Sequence, residues 1–434
     1  MSLWDRLYRE FLYVSAFLWR RVLFRTTFIA LTGSAGKTTS KELLANILAR
    51  EGPTLRTFAN ANDPWGAPRT LLRVRPWHRY AVIELGAGER GWMLRLGRMV
   101  KPDMAIILRV LLVHRNWLRT LEDVAAEKGS LLAALGPGCT AILNGDDPLT
   151  TNMTVPAGVR VLRFGTREGL DCRAEEIEAA WPRRLRMRVS MNGESLDIQT
   201  RLAGEIWVPS VLAALFAARS LGVTLSAAVR EASLTEPYTG RMEPGITPSG
   251  AVFIRDDKGS SSATFEASLQ VLKSARAKRR ILVSSDYSDS SRSHRDRMKH
   301  LGRWAASSAD MAVFIDSAGE TAARSAVRQG MAESAVHWYV NLREASDFLE
   351  RELRSGDVVL LRGRISQHVA RLFFAQMGTV QCWKPLCRRQ IQCDLCPDLG
   401  AGLEKIQPAG DPPPPLIRRR GNGSTEQHGS WRAV

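Results

Sequence analysis

One run of eight residues, Thr32-Gly33-Ser34-Ala35-Gly36-Lys37-Thr38-Thr39, constrains this chain more than any other feature. A short apolar stretch, Thr27-Phe28-Ile29-Ala30-Leu31, precedes it, and a helical pattern from Ser40 to Arg50 follows. Strand, glycine turn and helix together aim backbone N–H groups and a helix N-terminus at phosphate oxygens. Lys37 can neutralise the β- and γ-phosphates of ATP, and the Thr38 hydroxyl can ligate Mg²⁺. The general phosphate loop, G-x-x-x-x-G-K-[ST], wants its first glycine where this chain has Leu31, so only the shorter G-x-x-G-K-T-T form is met. An ordinary Gly-Lys helix start is the bland alternative, and the strand before it argues against that.

Further apolar runs at Tyr80–Ile83, Met104–Leu108 and Thr140–Leu143 read as buried strands, with helices such as Leu121 to Leu135 between them. Strand–helix alternation predicts a parallel sheet covered on both faces, with ligands at the carboxyl ends of its strands. Residues 151–205 look more β-like, and a helix is expected near Pro209 to Leu221. A second α/β unit begins near Gly240, with strands at Val252–Ile254, Ile281–Val283 and Val358–Leu361. The expected fold class is therefore α/β. A P-loop-type central ATP-binding domain over 26–238 is followed by a smaller α/β domain over 239–380. A cysteine cluster occupies 381–400, and a polar, Pro/Gly-rich tail expected to be disordered occupies 401–434.

The 434 residues carry a formal net charge of +17, which suits an anionic partner such as a nucleotide, a phosphorylated substrate or an acidic membrane surface. The basic residues are spread along the chain without a nucleic-acid-binding signature, so no nucleic acid partner is expected. No secretory signal is visible, which favours a cytoplasmic location. In a reducing compartment Cys382, Cys387, Cys393 and Cys396, spaced C-x4-C-x5-C-x2-C, could supply four thiolates to a structural Zn²⁺; free thiols or a redox pair are the alternatives. Residues 1–25 are expected to form an amphipathic, basic helix in which Trp4, Leu7, Phe11, Leu12, Phe17, Leu18, Val22 and Leu23 recur among Arg6, Arg9, Arg20, Arg21 and Arg25. The apolar stretch is too short to span a bilayer. Packing on the following domain and peripheral contact with a membrane surface both remain open.

Motifs along the chain resemble those of the Mur ligase family. The shorter phosphate loop is the family's form, and Asn60-Ala61-Asn62-Asp63-Pro64-Trp65-Gly66-Ala67-Pro68 resembles a segment of the branch that adds D-alanyl-D-alanine. Glu84-Leu85-Gly86 looks like the family's Glu-Leu-Gly motif and is followed by Lys101-Pro102-Asp103. His114, Lys128 and Asn144-Gly145-Asp146-Asp147-Pro148 come next, and Gly240-Arg241-Met242-Glu243 matches the arginine motif opening the third domain. Arg255-Asp256-Asp257-Lys258 resembles a segment of the D-glutamate-adding branch. The resemblance runs from about Gly33 to Gly363.

It implies an ATP-dependent ligase that joins a carboxylate to an amine through an acyl phosphate, in cell-envelope or capsule biosynthesis. Its substrates would be small-molecule or peptide carboxylates and amines. It implies that Gly33 to Thr39, Asn144, Arg241, Asp256 (ribose) and Lys258 (phosphate) bind ATP. Thr38, Glu84 and His114 would hold Mg²⁺, and Lys128 matches a lysine that is carbamylated to support a second metal. Lys37, Lys128 and His114 are thus the catalytic candidates. The chain departs from the pattern at Leu108-Arg109, where Thr-Asn is usual, and at Asn116, where an acid is usual. Only about 25 residues precede the first strand, too few for the family's UDP-sugar-binding domain. Two other readings follow: an ATP-binding protein without ligase activity, or a polyglutamate-type ligase.

Overall fold

The computed structural model describes residues 3–113, 117–259, 261–288, 290–385, 387 and 393–400. The roles expected for His114 and Asn116, and the tail at 401–434, lie outside the described residues. Nine strands form the first sheet: β1 (Thr27–Thr32), β2 (Thr54–Arg56), β3 (Tyr80–Glu84), β4 (Met104–Ile107), β5 (Thr140–Asn144), β6 (Arg160–Gly165), β7 (Cys172–Glu178), β8 (Arg186–Met191) and β9 (Glu194–Gln199). Their order is β2-β3-β1-β4-β5-β6-β7-β8-β9, parallel as far as β7 and antiparallel beyond it. The parallel strands are apolar without alternation because both faces are covered. The order reverses at β1, which lies between β3 and β4 and so opens a crevice at its carboxyl end.

The second sheet contains β10 (Glu243–Ile246), β11 (Val252–Asp256), β12 (Arg279–Ser284), β13 (Met311–Ile315), β14 (Val336–Tyr339) and β15 (Asp357–Arg362). Its order is β10-β11-β15-β12-β13-β14, with only β10 antiparallel to its neighbour.

Helices α1 (Leu3–Val22), α2 (Lys37–Ala49), α3 (Gly66–Arg73), α4 (Trp92–Val100), α5 (Leu121–Gly129), α6 (Pro148–Thr151), α7 (Val208–Ser220) and α8 (Leu225–Leu234) accompany the first sheet. Helices α9 (Ser262–Ser274), α10 (His294–Ser308), α11 (Gly319–Arg328), α12 (Leu342–Glu352) and α13 (Ala370–Met377) accompany the second. Several starts are legible as caps: Thr120 and Asp123 form a capping box on α5, and Ser261 accepts the Thr264 N–H on α9. The helix expected from Leu121 to Leu135 is interrupted. It ends at Gly129, the Ser130 hydroxyl donates back to the Glu127 carbonyl (2.6 Å), and a separate 3₁₀ turn follows at Leu132–Ala134.

Apolar side chains of α1, α3 and α4 cover one face of the first sheet. On the other face α2, α7 and α8 build a core that continues without a break into α9 and α10 of the second unit. Helix α7 is buried almost all round, as its Ala-rich, apolar composition requires.

Helix α1 packs through Leu12 and Ala16, and its polar side chains tie it down. The Trp19 indole donates to the Val74 carbonyl (2.9 Å), and the buried Arg20 donates to the carbonyls of Val100 (2.7 Å) and Lys101 (2.8 Å). The helix thus packs on the following domain, while its other face stays exposed. Among the described residues no helix is long and apolar enough to cross a membrane.

The zinc site expected from the cysteine spacing is not built. Among the described residues no three His, Cys, Asp or Glu side chains are placed to share a metal ion, and none of the six cysteines forms a disulfide. Cys393 is buried against His368 (Sγ to Nδ1, 3.3 Å), and burial pushes its thiol up to about 11, so it is no ready thiolate. An ion pair holds the segment instead: Arg255, on β11, meets Asp394 bidentately at 2.9 and 3.2 Å.

Candidate active site

The phosphate loop leaves β1 at Thr32 and enters α2 at Lys37. Gly36 caps the helix with φ of +81°, a conformation that favours glycine, and a Cβ there would come within 2.5 Å of the Ser210 hydroxyl, which would have to turn away. Lys37 curls back so that its ammonium donates to the Gly33 carbonyl (2.7 Å). Desolvation lowers its pKa first; Glu84 works against that shift and Arg241 reinforces it.

Glu84 ends β3 and is almost wholly buried. Its Oε1 accepts from Asn62 (2.6 Å) and from the Thr38 hydroxyl (3.3 Å). Its Oε2 accepts no hydrogen bond and faces the Lys41 ammonium at 3.7 Å. Lys41 is itself buried and donates to the carbonyls of Thr57 (2.9 Å) and Ala59 (2.5 Å). A buried carboxylate oxygen without a donor, next to a threonine hydroxyl, is a hard-oxygen pair that suits Mg²⁺, which takes few protein ligands when phosphates supply others.

Across the cleft stand residues of the second unit. Gly240, at φ +67°, lets the Lys258 side chain lie against its backbone, and Lys258 N–H donates to the Gly240 carbonyl (3.1 Å). Arg241 is close enough to Glu84 and Lys37 to be coupled to both; burial lowers its pKa and Glu84 opposes the shift. Asp256, at the end of β11, forms an ion pair with the fully buried Arg362, which also donates to the Thr264 hydroxyl (2.7 Å). The enclosed space, about 270 Å³, is lined by Ser34 to Thr39, Asn62 and Glu84 on one side and by Arg241, Asp256, Lys258 and Ser261 on the other. A polar space lined by backbone N–H groups and three cations, with two carboxylates at its margins, can hold a polyphosphate and little that is apolar.

Lys128 lies nearby on α5, wholly buried, with no hydrogen-bond partner for its ammonium. Desolvation and then Lys37 hold its pKa well below the lysine range. The preceding Glu127 accepts the N–H groups of Gly91 and Met93 (2.7 Å each), capping α4 and fixing α5 in place.

The cleft thus gathers the phosphate loop, Glu84, Arg241, Asp256 and Lys258. Asn144 is not among its lining residues; its Oδ1 accepts the Asp146 N–H (3.0 Å) and shapes the turn after β5. His114 lies outside the described residues. Lys41, Asn62 and Arg362 were not foreseen as site residues. Asn62 lay inside a quoted motif, whereas Lys41 and Arg362 had only their positions after the loop and at a strand end as signals.

Two family models match this chain. Residues 31–218 match the Mur ligase middle domain, and residues 240–365 match the Mur ligase glutamate ligase domain. The UDP-N-acetylmuramoyl-tripeptide–D-alanyl-D-alanine ligase of Escherichia coli (strain K12) is 31% identical over 58% of this chain and 56% of its own length. The chain thus spans about half the length of the curated relatives it matches. A crystal structure of MurF from Acinetobacter baumannii superposes with a TM-score of 0.75 at 27% identity, covering 84% of this chain and 79% of that one. The fold is shared with MurF ligase from Thermotoga maritima in complex with ADP, at a TM-score of 0.70, 21% identity and coverage of 82% and 80%. Both halves of the cleft therefore come from domains of one family, and the chain belongs to the Mur ligases.

Proposed function

We propose that this chain is an ATP-dependent, ADP-forming ligase that joins a carboxylate to an amine in building the peptide part of the cell wall. The observation that carries the reading is the cleft itself. A phosphate loop with Lys37 faces Arg241, Asp256 and Lys258 of a separate unit across one polar space. The similarity to a ligase that adds D-alanyl-D-alanine to a UDP-N-acetylmuramoyl-tripeptide supports a carboxyl-bearing peptide as one substrate and a dipeptide amine as the other. The relative in complex with ADP supports the nucleotide. An enzyme that consumes ATP also fits the cytoplasm.

A free carboxylate is a poor acyl donor because its leaving group would be oxide. In the proposed reaction a carboxylate oxygen attacks the γ-phosphorus, the bond to the β-phosphate oxygen breaks, and ADP leaves. The amine then attacks the acyl carbon, inorganic phosphate departs, and the nitrogen loses a proton. Such chemistry is mostly positioning and charge neutralisation. Lys37 and Arg241 neutralise the transferred phosphoryl group from opposite sides of the cleft. Asp256 accepts from the ribose, held in place by Arg362, and Lys258 meets a phosphate. Mg²⁺, held by the Thr38 hydroxyl and Glu84 with His114, would supply further neutralisation. Lys128, whose depressed pKa keeps a free amine available, would be carbamylated and so become a carboxylate-like ligand.

The test is phosphate release from ATP with paired carboxylates and amines of the cell-wall peptide class. Release that needs both substrates, and falls by about 10²-fold or more in Lys37→Ala, is expected. Release indifferent to the amine would favour an ATP-binding protein without ligase activity.

A further inference from the structure

Helix α1 is apolar on two faces, and only one of them is covered. The inner face packs on α3 and α4. The outer face carries Trp4, Leu7, Phe11, Val14, Leu18 and Val22, each between 52% and 80% exposed. At 100° per residue these six fall within one stripe along the full length of the helix, about 30 Å at 1.5 Å per residue. Single exposed leucines need no explanation, whereas a continuous stripe with two large aromatics marks a surface meant for apolar company.

What surrounds the stripe identifies that company. The stretch Leu3–Arg25 holds five arginines against two acids. Arg20 is buried and Arg9 stacks over Trp92; Arg21 borders the stripe, Arg25 lies just past its end beside the exposed Phe24, and Arg6 is exposed further round the helix. Apolar residues on one side, aromatics near the ends and exposed arginines close by are the features of a helix lying in the plane of a lipid surface. These six alone have nearly the 3-4 spacing of a coiled-coil seam, but the exposed Leu3 and Tyr8 widen the apolar arc beyond such a seam, and Arg21 would occupy one of its apolar positions. The helix cannot span a bilayer, so it would lie on it.

We propose that the outer face of α1 docks the protein on an anionic lipid bilayer, with the aromatic and aliphatic side chains at the acyl boundary and the arginines among the phosphate headgroups. This surface lies on α1, apart from the ATP cleft, and the proposal stands whether or not the ligase reading holds.

The experiment is co-sedimentation of the full chain with vesicles of phosphatidylcholine, with and without about a third phosphatidylglycerol. Binding is expected to the anionic vesicles and to fall as salt screens the arginines. The double variant Trp4→Ser/Phe11→Ser, altered only at exposed positions, is expected to lose at least about tenfold in partitioning. Its melting temperature should match that of the unaltered chain, which separates lost docking from misfolding. A chain that stays in the supernatant with both vesicle types would overturn the proposal. So would a dimer in solution that the same double variant converts to monomer, since the stripe would then be a contact between copies.

Discussion

Lys128 holds a wholly buried amine that no hydrogen bond satisfies, a position few proteins keep without a use for it. Because burial depresses its pKa, the folded chain binds fewer protons there than the unfolded chain. Stability contributed by this site therefore rises with pH from the depressed folded value up to the ordinary lysine range. Lys128→Met removes the unsatisfied group at similar volume. In buffer free of carbon dioxide it is expected to gain about 1–3 kcal/mol at neutral pH and to flatten that pH dependence. Ligase turnover in the same variant should be lost. Thermal melts at several pH values, paired with a turnover assay, check both halves; a variant as active as the parent would remove Lys128 from the site. Residue positions were legible where the pattern is local: the loop from Gly33 to Thr39 and the strand-end Glu84 both sit where their spacing implied. Lys41 and Arg362 were not legible, because their partners lie 16 and 98 residues away in sequence at Thr57 and Thr264. Only the fold brings those pairs together.

Two elements depend on single residues in a way that can be measured. Gly36→Ala would force a side chain into a left-handed position and against Ser210. A loss of about 1–3 kcal/mol is expected. The first turn of α2 should shift with it, weakening nucleotide binding more than a surface change would. Helix α1 hangs on Arg20, which donates to the last carbonyls of α4 from a buried position and stacks over Phe28 at 3.9 Å. Arg20→Ala is expected to cost about 2 kcal/mol and to raise hydrogen exchange in α1 before the rest of the chain. Uniform exchange would show that the helix is not separately anchored. Element type was readable from the sequence because apolar periodicity survives burial, and β1, β3 and β5 end within a residue of their expected runs. The break in α5 was not readable, since Ala-rich, Leu-rich sequence continues past Ser130 and only the hydroxyl bond to Glu127 and the turn after it end the helix.

At the scale of the whole molecule, the second unit is braced from beneath the cleft. Arg255 is surrounded by Asp257, Asp394 and Glu243, which hold its guanidinium firmly charged despite burial. The cysteine-bearing segment is therefore joined to β11 by charge, and among the described residues no side chains are placed to share a metal. Asp394→Ala is expected to lower stability by about 3 kcal/mol. A chelator should leave the melting temperature of the full chain unchanged while stopping turnover through Mg²⁺. A large chelator-induced drop in melting temperature would contradict this account of the segment. The cysteine spacing misled because spacing fixes which thiols are near in sequence and not where they point. Cys393 turned inward toward His368 instead.

The central claim is that the cleft transfers a phosphoryl group from ATP to a carboxylate before an amide forms. Its most direct test uses a peptide substrate with ¹⁸O at both carboxyl oxygens, together with ATP, Mg²⁺ and the amine. One labelled oxygen should appear in the inorganic phosphate for each amide formed, and both products should fall by about 10²-fold or more with Lys37→Ala. Amide formation that leaves the phosphate unlabelled would contradict the account.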